Sequence, residues 1–236
     1  MAVAILMPVY DEAARLGPTL AQVRDASPEL GSVTVFLVDD GSEPPVDPRE
    51  LPAPTKAFSV VLARHPINLG QGAALETARR LAVREPGFDV FVTMDSDGQH
   101  DASDVVLLVR AILAGADVAF GDRFLGQSLI PPRRRLLLRA ARLFERLLTG
   151  LRLADAHNGL RAFSPRAIAC VALRQNRMAH ATEIKQHVAR AHGLTVVEVP
   201  VNVRYSRATT EKGQRGTGAA LILRDLVGRY LFGEGS

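Results

Sequence analysis

The sequence predicts an α/β fold in which helices cover both faces of a mostly parallel sheet. Three observations lead to this prediction. Strand-like and helix-like segments alternate through the first half of the chain. The strand-like segments are continuous apolar runs, as expected of strands buried on both faces. Acidic or glycine-containing turn sequences follow three of these runs. At 236 residues, 47% of them hydrophobic, the chain is long enough to form one large domain.

The elements of the first half follow from residue periodicity. Apolar or β-branched runs predict strands at 3–7, 32–38, 58–63, 89–94 and 117–120. Apolar residues at helical spacing predict helices at 12–24, 72–83 and 102–114, the first through Leu16, Leu20 and Val23. The proline-rich segment 43–55 is predicted to be a loop.

The second half of the sequence does not continue the regular alternation of strands and helices. Residues 133–153 predict one long basic helix, and 155–164 predict a loop that contains Asn158 and Gly159. Shorter elements are predicted as helices at 165–173, 182–192 and 219–232 and as a strand at 195–199. The polar, glycine-containing segment 204–218 is predicted to be a mobile loop.

Composition excludes several classes of protein. The formal net charge is +4, and 26 of the 29 basic residues are arginine, which fits both a codon preference and phosphate binding. Cys170 is the single cysteine, so a disulfide framework within the chain is excluded. Tryptophan is absent and aromatic residues make up 5%, which argues against nucleic acid as a partner.

With neither a signal peptide nor an 18-residue apolar run, we expect a cytoplasmic protein.

Acidic and polar clusters follow three predicted strands, at 8–12, 38–42 and 95–100. Each cluster alone is compatible with a turn that caps a helix. Because the carboxyl ends of parallel strands meet at one edge of a sheet, the three together indicate a ligand site there.

Asp95 and Asp97 give the sharpest of these signals. They lie two residues apart, so in extended chain their carboxylates point the same way and repel each other. Oxygen ligands of this type suit Mg²⁺ or Mn²⁺, and such an ion commonly bridges a diphosphate. Gln99 follows as a further candidate ligand.

Together these motifs resemble family 2 glycosyltransferases, most closely the branch of dolichol-phosphate mannose synthase and the bacterial polyprenyl-phosphate sugar transferases. The motifs that carry the resemblance occur in the expected order at 8–12, 38–42, 68–72, 95–100, 121–124, 155–161 and 212–214. The resemblance implies a GT-A fold, a three-layer sandwich, in a single domain over 1–236. Residues 1–124 would form the nucleotide-sugar-binding half and 125–236 the acceptor side.

The resemblance also implies roles for individual residues. Contacts with the nucleotide sugar fall on Pro8, Tyr10, Glu12, Asp39, Asp40, Gly70, Asp95, Ser96, Arg204 and Lys212. The metal ligands fall on Asp95, Asp97 and Gln99, and the catalytic roles fall on Asp97, Arg123 and Glu183. The chain departs from the family pattern at Asp11, where asparagine is commoner, and at Gln71, where lysine is commoner. Both departures remove or oppose positive charge near the nucleotide.

The acceptor decides whether a general base is needed. A hydroxyl acceptor needs a base within hydrogen-bond reach, whereas a polyprenyl phosphate is already anionic. Glu183 and Asp155 are the candidate bases. Each has a structural alternative: Glu183 suits the first turn of a helix capped by Thr182, and Asp155 suits ordering of the turn at 158–159.

The segment 133–152 bears on the location of the acceptor. Seven arginines and one glutamate alternate there with leucines, a pattern that suits an anionic membrane surface as well as a helix that packs on the core.

The sequence therefore predicts an inverting, metal-dependent hexosyltransferase that uses a UDP- or GDP-sugar and a polyprenyl (dolichyl-type) phosphate. We expect it in the cytoplasm, peripheral on the inner face of the membrane. Two alternatives stay open. One is transfer to a sugar hydroxyl of a cell-envelope glycan or glycolipid. The other is a non-catalytic nucleotide-sugar-binding partner of a membrane protein.

Overall fold

The computed structural model describes residues 1–125, 153, 155, 158–176 and 179–204. All of them belong to one compact unit, Met1–Arg204. Residues 133–152 of the predicted basic helix, Lys212 and the predicted terminal helix at 219–232 lie outside the described residues. The single domain over 1–236, with its division after residue 124, therefore stays a prediction.

The described residues form seven strands, five α-helices and one 3₁₀ helix. The strands are β1 Ala2–Val9, β2 Ser32–Asp39, β3 Phe58–Arg64, β4 Val90–Thr93, β5 Val118–Asp122, β6 Arg161–Phe163 and β7 Val196–Pro200. The α-helices are α1 Ala13–Leu30, α2 Gln71–Arg84, α3 Ala102–Leu113, α4 Pro165–Cys170 and α5 Ala179–Arg190. The 3₁₀ helix, Pro48–Glu50, lies in the predicted proline-rich loop.

The strands make one sheet in the order β3-β2-β1-β4-β6-β5-β7. All of these strands run in the same direction except β6, which pairs antiparallel with both β4 and β5. The prediction of a mostly parallel sheet is confirmed. The prediction of a loop over 155–164 is wrong at Arg161–Phe163. Three residues are too few to show a periodicity, so it is the pairing with β4 and β5 that makes them a strand.

Two hydrophobic cores lie on opposite faces of the sheet, as a three-layer sandwich requires. Alternate residues of β1 supply both: Val3, Ile5 and Met7 join the core under α1 and α3, and Ala4 and Leu6 join the core under α2, α4 and α5. This alternation explains why the strand reads as uniformly apolar. Within the described part of the chain, none of the helices has the length and apolarity to cross a membrane.

Helix α5 begins earlier than predicted. It starts at Ala179, so Thr182 lies inside the helix and does not cap it, and the interpretation of Glu183 as a first-turn residue is wrong. The apolar positions that signalled this helix lie in its later turns, where Ile184 and Val188 pack into the core.

A buried carboxylate joins α2 to the segment after α4. Glu76 is buried, accepts a hydrogen bond from the Leu173 backbone N–H at 3.0 Å, and pairs with Arg79 at 2.8 Å and Arg80 at 2.7 Å. Burial acts to raise the pKa of Glu76, but these three partners outweigh it and hold the pKa below its usual range.

We predict that Glu76→Gln lowers the free energy of unfolding at pH 7 by about 1–3 kcal/mol, because a buried, charge-assisted network loses its charge. The folded-state pKa lies below the unfolded value, so the carboxylate stabilises the fold above about pH 4.3. That contribution disappears as the pH falls through the folded-state pKa. Urea unfolding at pH 7 and pH 3 should show the gap between wild type and variant closing.

The exposed Glu85, just beyond the end of α2, offers a matched control with the same change in charge. Glu85→Gln should change the stability little at either pH. A gap for Glu76→Gln that stays constant between the two pH values would contradict the ionic explanation.

Candidate active site

The carboxyl ends of the parallel strands meet at one edge of the sheet, and β6 begins there because it runs the opposite way. Pro8 lies near the end of β1, Asp39 ends β2, Asp95 and Asp97 follow β4, and Arg123 follows β5. The structure therefore places predicted site residues from four strands along this edge.

The turn after β2 is held by Asp39. Its carboxylate is buried and accepts hydrogen bonds from the backbone N–H groups of Ser42 at 2.9 Å and Val46 at 3.1 Å. The Arg64 guanidinium lies 3.7 Å away. The buried side chain of Asp39 thus fixes the shape of this turn.

Asp40 fixes the segment between β3 and α2. Its carboxylate accepts hydrogen bonds from the N–H groups of Leu69 at 3.0 Å and Gly70 at 2.7 Å, and it lies 2.7 Å from Nδ1 of His65. Nε2 of that histidine lies 2.9 Å from the Thr77 hydroxyl on α2. Sequence reasoning missed His65, because its only signal was a position two residues beyond a predicted strand.

The segment after β1 carries an exposed tyrosine among the predicted residues. Tyr10 is 46% exposed, and Glu12 pairs with Arg15 at 3.0 Å. Asp11 has a φ of 50° and its carboxylate accepts a hydrogen bond from the Glu43 N–H at 3.0 Å. Asparagine and aspartate are the side chains that best tolerate this left-handed backbone, so the position constrains residue type through conformation as well as charge.

Three residues lie against the carboxylate of Asp95. Its Oδ1 accepts a hydrogen bond from Nε2 of Gln71 at 2.8 Å, and its Oδ2 lies 3.8 Å from Nε2 of His100. The carboxylate also packs against Gly159, where a methyl group would overlap it. The Thr93 hydroxyl holds Gly159 in turn, by donating to its carbonyl at 2.7 Å.

The two carboxylates of the predicted metal motif differ in their electrostatics. Burial acts to raise the pKa of Asp95, but His100, Arg161 and His180 outweigh it and hold that pKa below its usual range. Burial and then the charge of Asp95 raise the pKa of Asp97, despite its hydrogen bonds from the backbone and side-chain amide of Gln99. A cation at this position would relieve the repulsion between the two carboxylates.

This donor set fits a divalent ion that also binds a substrate. Among the described residues, no group of three or more His, Cys, Asp or Glu side chains is arranged to hold a metal by itself. Two carboxylates beside an amide suit Mg²⁺ or Mn²⁺, which commonly take one or two carboxylates and complete their shell with water and substrate phosphates.

Arg123 is held in place by Asp155. Its Nε lies 2.5 Å from the Asp155 carboxylate, which also accepts from the Arg123 backbone N–H at 3.2 Å, and both side chains are buried. The Asn158 amide donates to the same carboxylate at 3.3 Å. The turn-ordering interpretation of Asp155 is compatible with this contact, and the pairing with Arg123 adds a second structural role.

Two buried polar atoms at this edge have no hydrogen-bond partner within the described ranges: Oδ2 of Asp122 and Nδ1 of His100. Burial, with a smaller contribution from Asp155, raises the pKa of Asp122 above its usual range. The sequence placed both residues inside motifs of the resemblance, but no spacing indicated that either side chain would be buried.

Glu183 holds the segment that follows α4. Its Oε2 accepts hydrogen bonds from the backbone N–H groups of Arg174 and Gln175, each at 2.9 Å, and its Oε1 lies 4.0 Å from Nε2 of His187. The next residue, Asn176, accepts a hydrogen bond from the Ala73 N–H at 2.9 Å and so caps the first turn of α2.

Two further predicted residues, Ser96 and Arg204, lie in or contact the segment 95–101. Arg204 pairs with Asp101 at 2.5 Å, and its N–H donates to the Gln99 carbonyl at 2.9 Å. Ser96 is buried, and its carbonyl accepts from the Thr19 hydroxyl at 3.2 Å. Lys212 lies outside the described residues.

Comparisons with known proteins agree with this architecture. An undecaprenyl-phosphate mannosyltransferase of Micrococcus luteus is 32% identical over 210 residues, which cover 85% of this chain and 83% of the relative. A polyprenol monophosphomannose synthase of Mycolicibacterium smegmatis is 29% identical over 84% of this chain and 75% of the relative.

A solved structure shows the same fold. The glucosyl-3-phosphoglycerate synthase of Mycobacterium tuberculosis, in complex with Mn²⁺ and uridine-diphosphate-glucose, matches with a TM-score of 0.63 at 20% identity, over 97% of this chain and 78% of that one. The predicted GT-A fold is confirmed. The model of the family named glycosyl transferase family 2 matches residues 4–171. The chain therefore belongs to glycosyl transferase family 2, and it is a glycosyltransferase.

Proposed function

We propose that the chain transfers a hexose from a UDP- or GDP-sugar to a polyprenyl (dolichyl-type) phosphate, with inversion and with the help of Mg²⁺ or Mn²⁺. The observation that carries the acceptor assignment is the engagement of Glu183 with two backbone N–H groups. An acceptor phosphate needs no general base, so a structural role for this carboxylate is compatible with catalysis. The names of the two curated relatives support the same acceptor class.

On the donor side, Asp95, Asp97 and Gln99 would hold the ion against the diphosphate. The bound ion supplies positive charge that stabilises the diphosphate as the bond to the sugar breaks. The Mn²⁺-bound structural relative supports this assignment. Contacts within the chain fix both carboxylates, so their orientation is set before the donor binds.

Arg123 would contribute the fixed positive charge of the site. Its ion pair with Asp155 holds the guanidinium in one orientation, and a preorganised cation stabilises developing charge without rearrangement. The attacking oxygen of the acceptor phosphate forms the new bond to the anomeric carbon. The bond from that carbon to the nucleotide diphosphate breaks on the opposite face, which inverts the configuration.

The nucleoside would lie over the ends of β1 and β2. Tyr10 is exposed there, and the turns held by Asp39 and Asp40 give this surface its shape. We propose direct contacts from Pro8, Tyr10, Glu12, Gly70 and Ser96, with Arg204 and Lys212 closing over the phosphates. Asp39 and Asp40 would act through the turns that they hold.

The lipid acceptor places the reaction at a membrane. A cytoplasmic protein peripheral on the inner face, with 133–152 on the lipid surface, fits this acceptor. Transfer to a sugar hydroxyl is the competing activity, and it would require Glu183 or Asp155 as a base.

A nucleotide panel tests the donor assignment. We expect UDP or GDP, at 100 times its dissociation constant, to stabilise the fold by about 2.7 kcal/mol when Mn²⁺ or Mg²⁺ is present. Thermal unfolding with UDP, GDP and dTDP, each with Mn²⁺, Mg²⁺ or EDTA, measures this effect. The stabilisation should be lost in Asp97→Ala. Folded protein that no nucleotide stabilises would contradict a donor site in this chain.

Glu183→Gln separates the two acceptor classes. Glutamine keeps an oxygen that accepts the N–H groups of Arg174 and Gln175 but cannot act as a base. We expect transfer to polyprenyl phosphate to fall less than tenfold, whereas loss of a general base costs about 10²–10⁴-fold. The rate of transfer to a short-chain polyprenyl phosphate is the measurement. A loss of a hundredfold or more, with nucleotide affinity unchanged, would mean that Glu183 acts as a general base and would contradict its purely structural role.

Gly159→Ala tests whether the contact with Asp95 matters for binding. The added methyl group would displace the carboxylate, so we expect the affinity for UDP or GDP with Mn²⁺ to fall at least about tenfold. Gly17→Ala is the control, because nothing lies within 4 Å of its added methyl group and the backbone there is helical. Isothermal titration calorimetry of both variants measures the change. Equal affinities would mean that Asp95 is not a donor-site residue.

A further inference from the structure

The side chain of Gln71 connects the start of helix α2 to the proposed cation site. It is the first residue of α2, its side chain is exposed, and its amide Nε2 donates to Oδ1 of Asp95 at 2.8 Å. The donor is a neutral amide. It orients the carboxylate without adding positive charge beside it.

The start of α2 is fixed by contacts that do not involve the Gln71 side chain. The Gly70 N–H donates to Asp40 at 2.7 Å, and the Ala73 N–H donates to Asn176 at 2.9 Å. Gly72 packs so closely on the Gln175 carbonyl that a methyl group would overlap it. A substitution at 71 therefore changes the group facing Asp95 and leaves the backbone in place.

A charged group at position 71 would add to the positive groups that already act on the Asp95 carboxylate. His100 lies 3.8 Å from Oδ2, and Arg161 and His180 also act on the carboxylate electrostatically. Gln71 approaches the other oxygen, Oδ1, with no charge of its own. An ammonium group there would pair with Asp95 and would lie within about 5 Å of an ion held by the carboxylates. Even at the dielectric constant of water, that repulsion corresponds to roughly a tenfold loss of ion affinity.

We propose that Gln71 is a positioning residue that orients Asp95 without supplying charge, and that this makes donor binding depend on the divalent ion. The residue at 71 would set the degree of metal dependence. This inference rests on the proposed function, since it assumes that Asp95 and Asp97 hold an ion against a nucleotide diphosphate.

A charge series at position 71 tests the proposal. Gln71→Lys, Gln71→Leu and Gln71→Glu place a positive, an apolar and a negative group beside Asp95. Val83→Lys is the matched control: it adds the same charge at an exposed position of the same helix, roughly 18 Å away at 1.5 Å per residue. Calorimetry gives the affinity for UDP and GDP with Mn²⁺ and with EDTA. Thermal unfolding in EDTA without nucleotide reports on folding.

We expect the enhancement of nucleotide affinity by Mn²⁺ to shrink at least about tenfold in Gln71→Lys relative to wild type. The same variant should bind the nucleotide more tightly than wild type in EDTA, because the ammonium group partly replaces the ion. Its melting temperature in EDTA should not fall, since it adds a partner for Asp95. Gln71→Glu should bind nucleotide more weakly than wild type in EDTA. Gln71→Leu should bind nucleotide more weakly than wild type in Mn²⁺ but not in EDTA. Val83→Lys should match wild type in both conditions.

Three results would overturn the proposal, and they bear differently on the proposed function. If wild type binds nucleotide with a strong Mn²⁺ enhancement and Gln71→Lys shows the same enhancement, the inference fails and the proposed function stands. If wild type binds nucleotide equally well in Mn²⁺ and EDTA, the metal dependence in the proposed function fails and the inference fails with it. Should Gln71→Lys not fold, an EDTA affinity of Gln71→Glu equal to that of wild type would also contradict the proposal.

Discussion

The direction of strand β6 is the constraint on which the rest of the site depends. Because β6 runs opposite to β4 and β5, its first residue enters the sheet at the edge where those two strands end. The preceding residues therefore reach the proposed donor site. Gly159 packs against the Asp95 carboxylate, and the Asn158 amide donates to the carboxylate of Asp155, which pairs with Arg123. A parallel strand at this position would begin at the opposite edge and would take these residues away from it.

Several carboxylates near this edge hold loops in place through contacts within the chain. Asp40 and Glu183 each accept two backbone N–H groups and so turn loops into fixed surfaces. Asp95 and Asp97 are also oriented by contacts, yet they remain close enough for the charge of Asp95 to raise the pKa of Asp97. A substrate-bound cation would relieve that repulsion, whereas a structural role would be better served by one carboxylate and an amide.

The sequence was sufficient for features that depend on local pattern. Apolar runs predicted β1 and β2 because both faces of those strands are buried, and the acidic turns after the strands correctly predicted that these motifs meet at one edge of the sheet. Features that depend on distant contacts were missed. Strand β6 exists through its pairing, and the contact between His65 and Asp40 joins residues 25 apart in the chain. No spacing in the sequence encodes such contacts.

The proposed acceptor side and the proposed donor side are joined by a short series of contacts within the chain. Glu183 holds the backbone at 174 and 175, Asn176 caps α2, and the first residue of α2 orients Asp95. A substitution that releases the 174–176 segment would therefore disturb Asp95, the proposed donor-site carboxylate, without contacting the donor. Loss of nucleotide affinity in Glu183→Ala would not identify Glu183 as a donor contact, because the alanine also frees two backbone N–H groups. Only the glutamine variant, which keeps an acceptor oxygen, isolates the effect of the negative charge on the reaction itself.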